Sequence, residues 1–167
     1  MPPFEVLYIA QYCAERWPEG GYALDYALGP VPEWAVKQLG YDKASATYMG
    51  WRPKVDAVKF FPNGILLLEA KVFKVLEALR NLIGYGLLVP TTEELRPWWN
   101  MPVSLRLVVP RQTDILQAQA KAYNIQLDIY TTPAVLEHAA KYEKYWTREY
   151  QLERKLRKQR LQELGLE

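Results

Sequence analysis

The chain reads as an α/β (α+β) sandwich, in which a central mixed β-sheet is flanked by helices and followed by a long C-terminal helix. Three observations predict this. Two apolar runs flank the turn-forming Phe61-Pro62-Asn63-Gly64, the pattern of a β-hairpin. Further on, a strand–helix–strand succession favours parallel pairing through a right-handed crossover. Helical periodicity opens and closes the sequence.

Phe4 to Trp17 is predicted helical, with apolar Val6, Leu7, Ile9, Ala10, Cys13 and Ala14 and a stop at Pro18 and Gly20-Gly21. Residues 18–50 are broken by Pro30, Pro32 and several glycines. Within them only Pro32–Leu39 reads as a short helix, with Gly40 as its stop, and there is room for one earlier strand. The hairpin follows, as strands Val55–Phe61 and Ile65–Phe73. Residues 74–88 set Val75, Leu79, Leu82, Ile83 and Leu87 near one helical stripe. Val89 to Trp99 reads as a loop. Val103–Val109 alternates and then becomes wholly apolar, like a strand entering a core. Thr113 or Asp114 caps a helix to about Tyr123, Gln126–Tyr130 is a short strand, and Pro133 opens a helix running to Leu164.

A length of 167 residues predicts one α/β domain over residues 1–140, with 141–167 as a basic helical extension. Half the residues are apolar and 24% charged, as in an ordinary soluble globular protein. No run of 18 apolar residues suggests a membrane span, and Met-Pro-Pro-Phe-Glu lacks the features of a secretory leader. Cys13 is the one cysteine, which excludes an internal disulfide and fits a reducing, cytoplasmic setting. The net charge of +2 is unevenly spread. Residues 1–51 carry three bases against six acids (−3), and residues 141–167 eight bases against five acids (+3). A mildly basic tail favours a polyanion without demanding one.

The hairpin carries the chemistry. Side chains alternate along a strand, so Ile65, Leu67, Glu69 and Lys71 share one face. An acid and a lysine therefore stand side by side at the end of a very apolar strand, and Asp56 on the partner strand can be brought opposite them. Burying such charges is costly unless they pair or hold a metal ion.

Asp56 followed by Glu69-Ala70-Lys71 resembles the PD-(D/E)xK nuclease superfamily, whose pattern is an acid on one hairpin strand and acid-x-Lys on the next. The likeness extends to Asn81-Leu-Ile-Gly-Tyr85, which is similar to the Gln-x-x-x-Tyr that members often carry on the following helix. The sequence departs from the pattern at Asn81, which replaces Gln, and at Lys54-Val55, which separate Pro53 from Asp56. The resemblance implies a restriction-endonuclease-like core and metal-dependent hydrolysis of DNA. Asp56 and Glu69 would bind Mg²⁺ or Mn²⁺, aided by the Ala70 carbonyl, and catalysis would rest on Asp56, Glu69 and Lys71. Lys71 would orient or deprotonate the attacking water, or stabilise developing negative charge. Many members add an acid from the first helix; Glu15 is the candidate, with Glu5 behind it. Asn81 and Tyr85, four apart on one helix face, would lie near substrate. The superfamily is common in phages, mobile elements and repair systems.

The bland alternatives are a Glu69–Lys71 salt bridge at a sheet edge, an Asp56 that accepts turn hydrogen bonds, a packing Tyr85, a surface Asn81 and a solvated Glu15. His138 has no second histidine with which to build a zinc site. Trp98-Trp99 and Tyr48-Met-Gly-Trp51 have two uses open to them, stacking on unpaired bases or closing a core or interface. Arg154-Lys155-Leu156-Arg157-Lys158-Gln-Arg160 suits tracking of DNA phosphates along a helix face. Leu152, Leu156, Leu161 and Leu164 equally suit packing on another protein subunit, and a solvated helix end is the default for such a charge run. Three readings compete: a nuclease, a nuclease-fold protein without catalysis that serves in DNA binding or assembly, and an α/β interaction protein.

Overall fold

The computed structural model describes residues 3–143 and 148–163. Residues 3–130 fall in one compact unit and the rest, from Thr131, in a second. In chain order the first unit contains α1 (Pro3–Arg16), β1 (Tyr22–Ala27), α2 (Glu33–Leu39), α3 (Tyr41–Tyr48), β2 (Lys54–Phe61) and β3 (Gly64–Ala70). There follow α4 (Val75–Leu88), two short 3-10 turns, β4 (Val103–Val109), α5 (Asp114–Ala122) and β5 (Ile125–Ile129). The second unit contains α6 (Pro133–Glu143) and α7 (Arg148–Glu163). Residues 145, 146 and 164 of the expected terminal helix lie outside the described residues.

Among the described residues the strands form one mixed sheet in the order β1-β2-β3-β4-β5, flanked by helices, which is the expected α+β class. β1, β2 and β3 pair antiparallel, whereas β3, β4 and β5 run parallel. Each parallel pair is joined through a helix, α4 or α5, as parallel geometry requires.

The hairpin closes as expected, with Phe61 paired to Gly64 across Pro62-Asn63. Glycine is needed there because a β-carbon at position 64 would stand 2.6 Å from the Pro102 carbonyl oxygen, which also accepts the Ile65 N–H. Gly64→Ala is accordingly expected to destabilise the fold by roughly 1–3 kcal/mol, read as a lower denaturant midpoint. An unchanged midpoint would contradict the close approach.

Every residue of β3 is buried, so it is the central strand of the core. Ile65 and Leu67 belong to the main core with Leu79 and Leu82 of α4 and Leu116 of α5. Leu66 faces the other way, paired with Lys59, whose ammonium lies over the Trp17 ring just beyond α1. Helix α1 thus covers one face of the sheet, burying Tyr8, Ile9, Tyr12 and Cys13, and α4 and α5 cover the other.

Four local features differ from the expectation. β3 stops at Ala70 rather than Phe73, because Lys74 turns into the left-handed region (φ 55°) to start α4. The stretch expected as a loop from Val89 carries its two 3-10 turns, pinned by Thr92: its hydroxyl accepts the Gly29 N–H and donates to the Leu88 carbonyl. Residues 18–50 hold the one earlier strand there was room for, β1, and the expected short helix, and add α3. β1 itself is interrupted, since Asp25 has φ 51° and the pairing with β2 omits it, resuming at Tyr26. Among the described residues no helix is long and apolar enough to cross a membrane.

Candidate active site

Register sets the site at one end of the sheet, where β2 begins and β3 finishes. β2 and β3 pair from Phe61–Gly64 back to Ala57–Leu68, where their ladder ends. Beyond it β3 stays bonded to β4, with Ala70 opposite Val108 and the Lys71 N–H donating to the Val108 carbonyl at 3.0 Å. The Ala70 N–H would be stranded by this parting of the strands, and the Asp56 carboxylate satisfies it at 2.8 Å. One side chain thereby closes the gap and carries an acid into it.

Glu69 retains only 3% of its accessible surface and Asp56 5%. Burial raises both carboxyls. For Asp56 the Ala70 N–H and the Lys71 charge oppose the rise, leaving it at about 6. For Glu69 the Asp56 charge adds to burial, the Lys71 charge and a hydrogen bond from the Asp56 backbone only partly offset them, and the group is pushed up to about 8. Glu69 Oε1 lies 3.8 Å from Lys71 Nζ, and Glu69 Oε2, fully buried, has no hydrogen-bond partner among the described residues. A buried oxygen of this kind is a vacant acceptor for a cation or a donor.

The acid that meets Lys71 comes from α1, and it is Glu5: the ammonium donates to Glu5 Oε2 at 2.9 Å. Burial, the largest influence, lowers the Lys71 ammonium. The Glu5 bond and the charges of Asp56, Glu5 and Glu69 outweigh that and hold it above its ordinary value. Glu15 is not brought to this cluster. It is exposed and accepts a hydrogen bond from Gln11 at 2.9 Å. The signal that separates the two acids is helical phase. Glu5 falls in line with buried Ile9, Tyr12 and Cys13 at i+4, i+7 and i+8, whereas Glu15 lies off that stripe and about 15 Å further along the axis.

Tyr85 is half-buried against the core, and its hydroxyl is raised to about 12 by burial and then by the charges of Glu69 and Asp56. Asn81, one turn earlier, is exposed. Trp98 and Trp99 pack against the core, with indole N–H groups on the Phe61 and Thr92 carbonyls, so they close the hairpin end of the sheet. In the second unit Arg154, Lys155 and Arg157 are exposed on α7, as are Leu152 and Leu156, while the side chain of Lys158 lies outside the described residues.

The chemistry open to this arrangement is that of two buried carboxyls of raised pKa and one ammonium around an unfilled acceptor. Among the described residues no group of three or more His, Cys, Asp or Glu side chains is set to hold a metal ion. The carboxyls that meet at Glu69 are its own and that of Asp56.

No family model matches the chain, and no curated protein does. Among solved structures it is similar to a repair endonuclease from Pyrococcus abyssi, at 19% identity and a TM-score of 0.44 over 75% of this chain and 46% of that one. It is likewise similar to EndoMS in a complex with dsDNA, at 17% identity and a TM-score of 0.44 over 75% of this chain and 44% of that one. The chain spans less than half the length of either structure's chain.

Proposed function

We propose that this chain is a metal-dependent deoxyribonuclease of the PD-(D/E)xK type, with Asp56, Glu69 and Lys71 as its catalytic residues. The observation that carries the reading is the Glu69 carboxyl, buried beside Asp56 with Oε2 unpartnered at the point where the hairpin strands part. A protein interior does not ordinarily keep two carboxyls together with an unfilled acceptor. The donor chemistry fits Mg²⁺ or Mn²⁺, hard cations that take oxygen ligands and, in the case of Mg²⁺, retain several waters. Asp56, Glu69 and the Ala70 carbonyl would hold the ion, which supplies charge neutralisation and a more acidic water.

The protein's own groups then have defined tasks. Water oxygen forms a bond to phosphorus and gives up a proton to solvent, the bond from phosphorus to the leaving oxygen breaks, and that oxygen takes up a proton from solvent. Lys71, held as an ammonium by its carboxylate neighbours, stabilises the negative charge that develops on the phosphoryl oxygens. It is not the proton acceptor in this scheme. Glu5 fixes the ammonium in place. Bases exposed on α7 would track phosphates, and Leu152 and Leu156, four apart, offer another subunit an apolar strip.

The test is cleavage of circular and linear DNA, single- and double-stranded, with Mg²⁺, Mn²⁺ or EDTA, beside Asp56→Asn. Metal-dependent cutting that Asp56→Asn abolishes is the expected result. A wild-type protein that neither cuts nor binds either metal would defeat the reading. The Lys71–Glu5 bond favours a second one, a nuclease-fold protein that binds DNA or assembles with other proteins without cutting. DNA binding without cleavage would select it.

A further inference from the structure

Trp51 is 86% exposed, an unusual position for the largest apolar side chain. Its backbone is held on both sides. The Trp51 N–H donates to the Tyr48 carbonyl at the end of α3, and the next residue, Arg52, is clamped to Glu94 by two hydrogen bonds of 2.7 and 2.9 Å, with a third to Ser45. The indole is thus displayed from a rigid base rather than a loose loop.

Its connection to β2 places it toward the end of the sheet that holds the acid cluster. α2 and α3 join the end of β1 to the start of β2, and the terminal pair of those strands is Ala27–Lys54. Continuing the β2–β3 register brings Lys54 level with Lys71. Only Arg52-Pro53-Lys54-Val55 separate Trp51 from Asp56, so their Cα atoms lie within about 17 Å. Exposed bases share this end: Lys74 begins α4 just after β3, and Arg111 follows β4.

We propose that Trp51 is a stacking platform for an unpaired base of a nucleic-acid strand whose phosphates run along this end of the sheet, so that the preferred substrate is single-stranded or locally unpaired DNA. The inference rests on the DNA-acting reading above and gives it a substrate form. A nucleobase offers a π-face to any exposed indole, and an exposed base such as Lys74 suits the accompanying phosphates. With the backbone already held, only the two torsions of the indole side chain are ordered on stacking.

Binding is measured in EDTA, so that no cleavage intervenes, with a single-stranded oligonucleotide carrying 2-aminopurine and with a fully paired duplex. Wild type, Trp51→Ala and Trp51→Phe are compared. Trp51→Ala is expected to weaken single-strand binding roughly 5- to 100-fold and to lose 2-aminopurine quenching. Trp51→Phe should recover most of both, and the duplex affinity should barely change. Equal weakening of strand and duplex would overturn base stacking, as would single-strand affinity unaltered in Trp51→Ala. A self-associated form that Trp51→Ala dissolves, with DNA affinity untouched, would reassign the indole to a protein contact. A wild type that binds neither DNA defeats this inference and the DNA-acting reading together. Stacking without cutting defeats catalysis alone, and cutting with an indifferent Trp51 defeats stacking alone.

Discussion

Lys71→Ala is expected to slow metal-dependent cleavage by at least about 10²–10³-fold, the usual effect of removing a preorganised charge from a developing anion. The structure adds a second signature. Lys71 is the cation nearest Glu5 and Glu69, and its charge bears on Asp56, so its loss leaves three buried acids without their counter-ion. The Asp56 and Glu69 carboxyls then move further up, and stability falls as pH rises through them. The gap in melting temperature between wild type and Lys71→Ala should be smallest near pH 5 and widen toward pH 8. Lys71→Arg keeps the charge and should narrow the pH 8 gap. Equal cleavage rates in wild type and Lys71→Ala would remove Lys71 from the chemistry.

Glu69→Gln should do the opposite to stability while also abolishing cleavage. The Glu69 carboxyl is pushed from its ordinary 4.5 up to about 8 in the folded chain, chiefly by burial and then by Asp56. Below the ordinary value both folded and unfolded chains hold the proton, and nothing is lost. Between the two values the unfolded chain ionises while the folded one keeps its proton, so stability declines with pH, and above about 8 the full deficit is present. A neutral amide of the same shape escapes this. Glu69→Gln is therefore expected to match wild type near pH 4 and to exceed it in stability at pH 8. Denaturant midpoints at the two pH values measure it. Mn²⁺ should raise the wild-type melting temperature at pH 8, with release of protons, and leave the variant's unmoved. Parallel pH curves for the two proteins would show that Glu69 is not the strained acid described here.

The elements with strong local signals were legible in the sequence. Phe61-Pro62-Asn63-Gly64 closes the hairpin, Val103–Val109 is a strand over those residues, and Pro133 opens α6. β1 was not assignable because Tyr22–Ala27 is half-buried without alternation and turns at Asp25, so its pairing is decided by β2 rather than by its own pattern. α3 begins directly after Gly40, a residue that reads as a stop when only the preceding helix is considered. At the site, alternation placed Glu69 beside Lys71 on β3, and the hairpin brought Asp56 within reach. What alternation could not supply was the partner from α1. Choosing between Glu5 and Glu15 needs the phase of the buried stripe, and that phase is fixed by packing against β2 and β3.

The left-handed turn at Asp25 also bears on how the molecule behaves in a crowded solution. β1 is an outer strand, and such a strand offers unpaired N–H and C=O groups on which a second sheet can grow. Broken at Asp25, it presents two short stretches instead of a six-residue template, and the charged pair of Asp25 with Lys54 marks the break. Edge-to-edge polymerisation is opposed at the same strand that leads into the α2–α3 insertion.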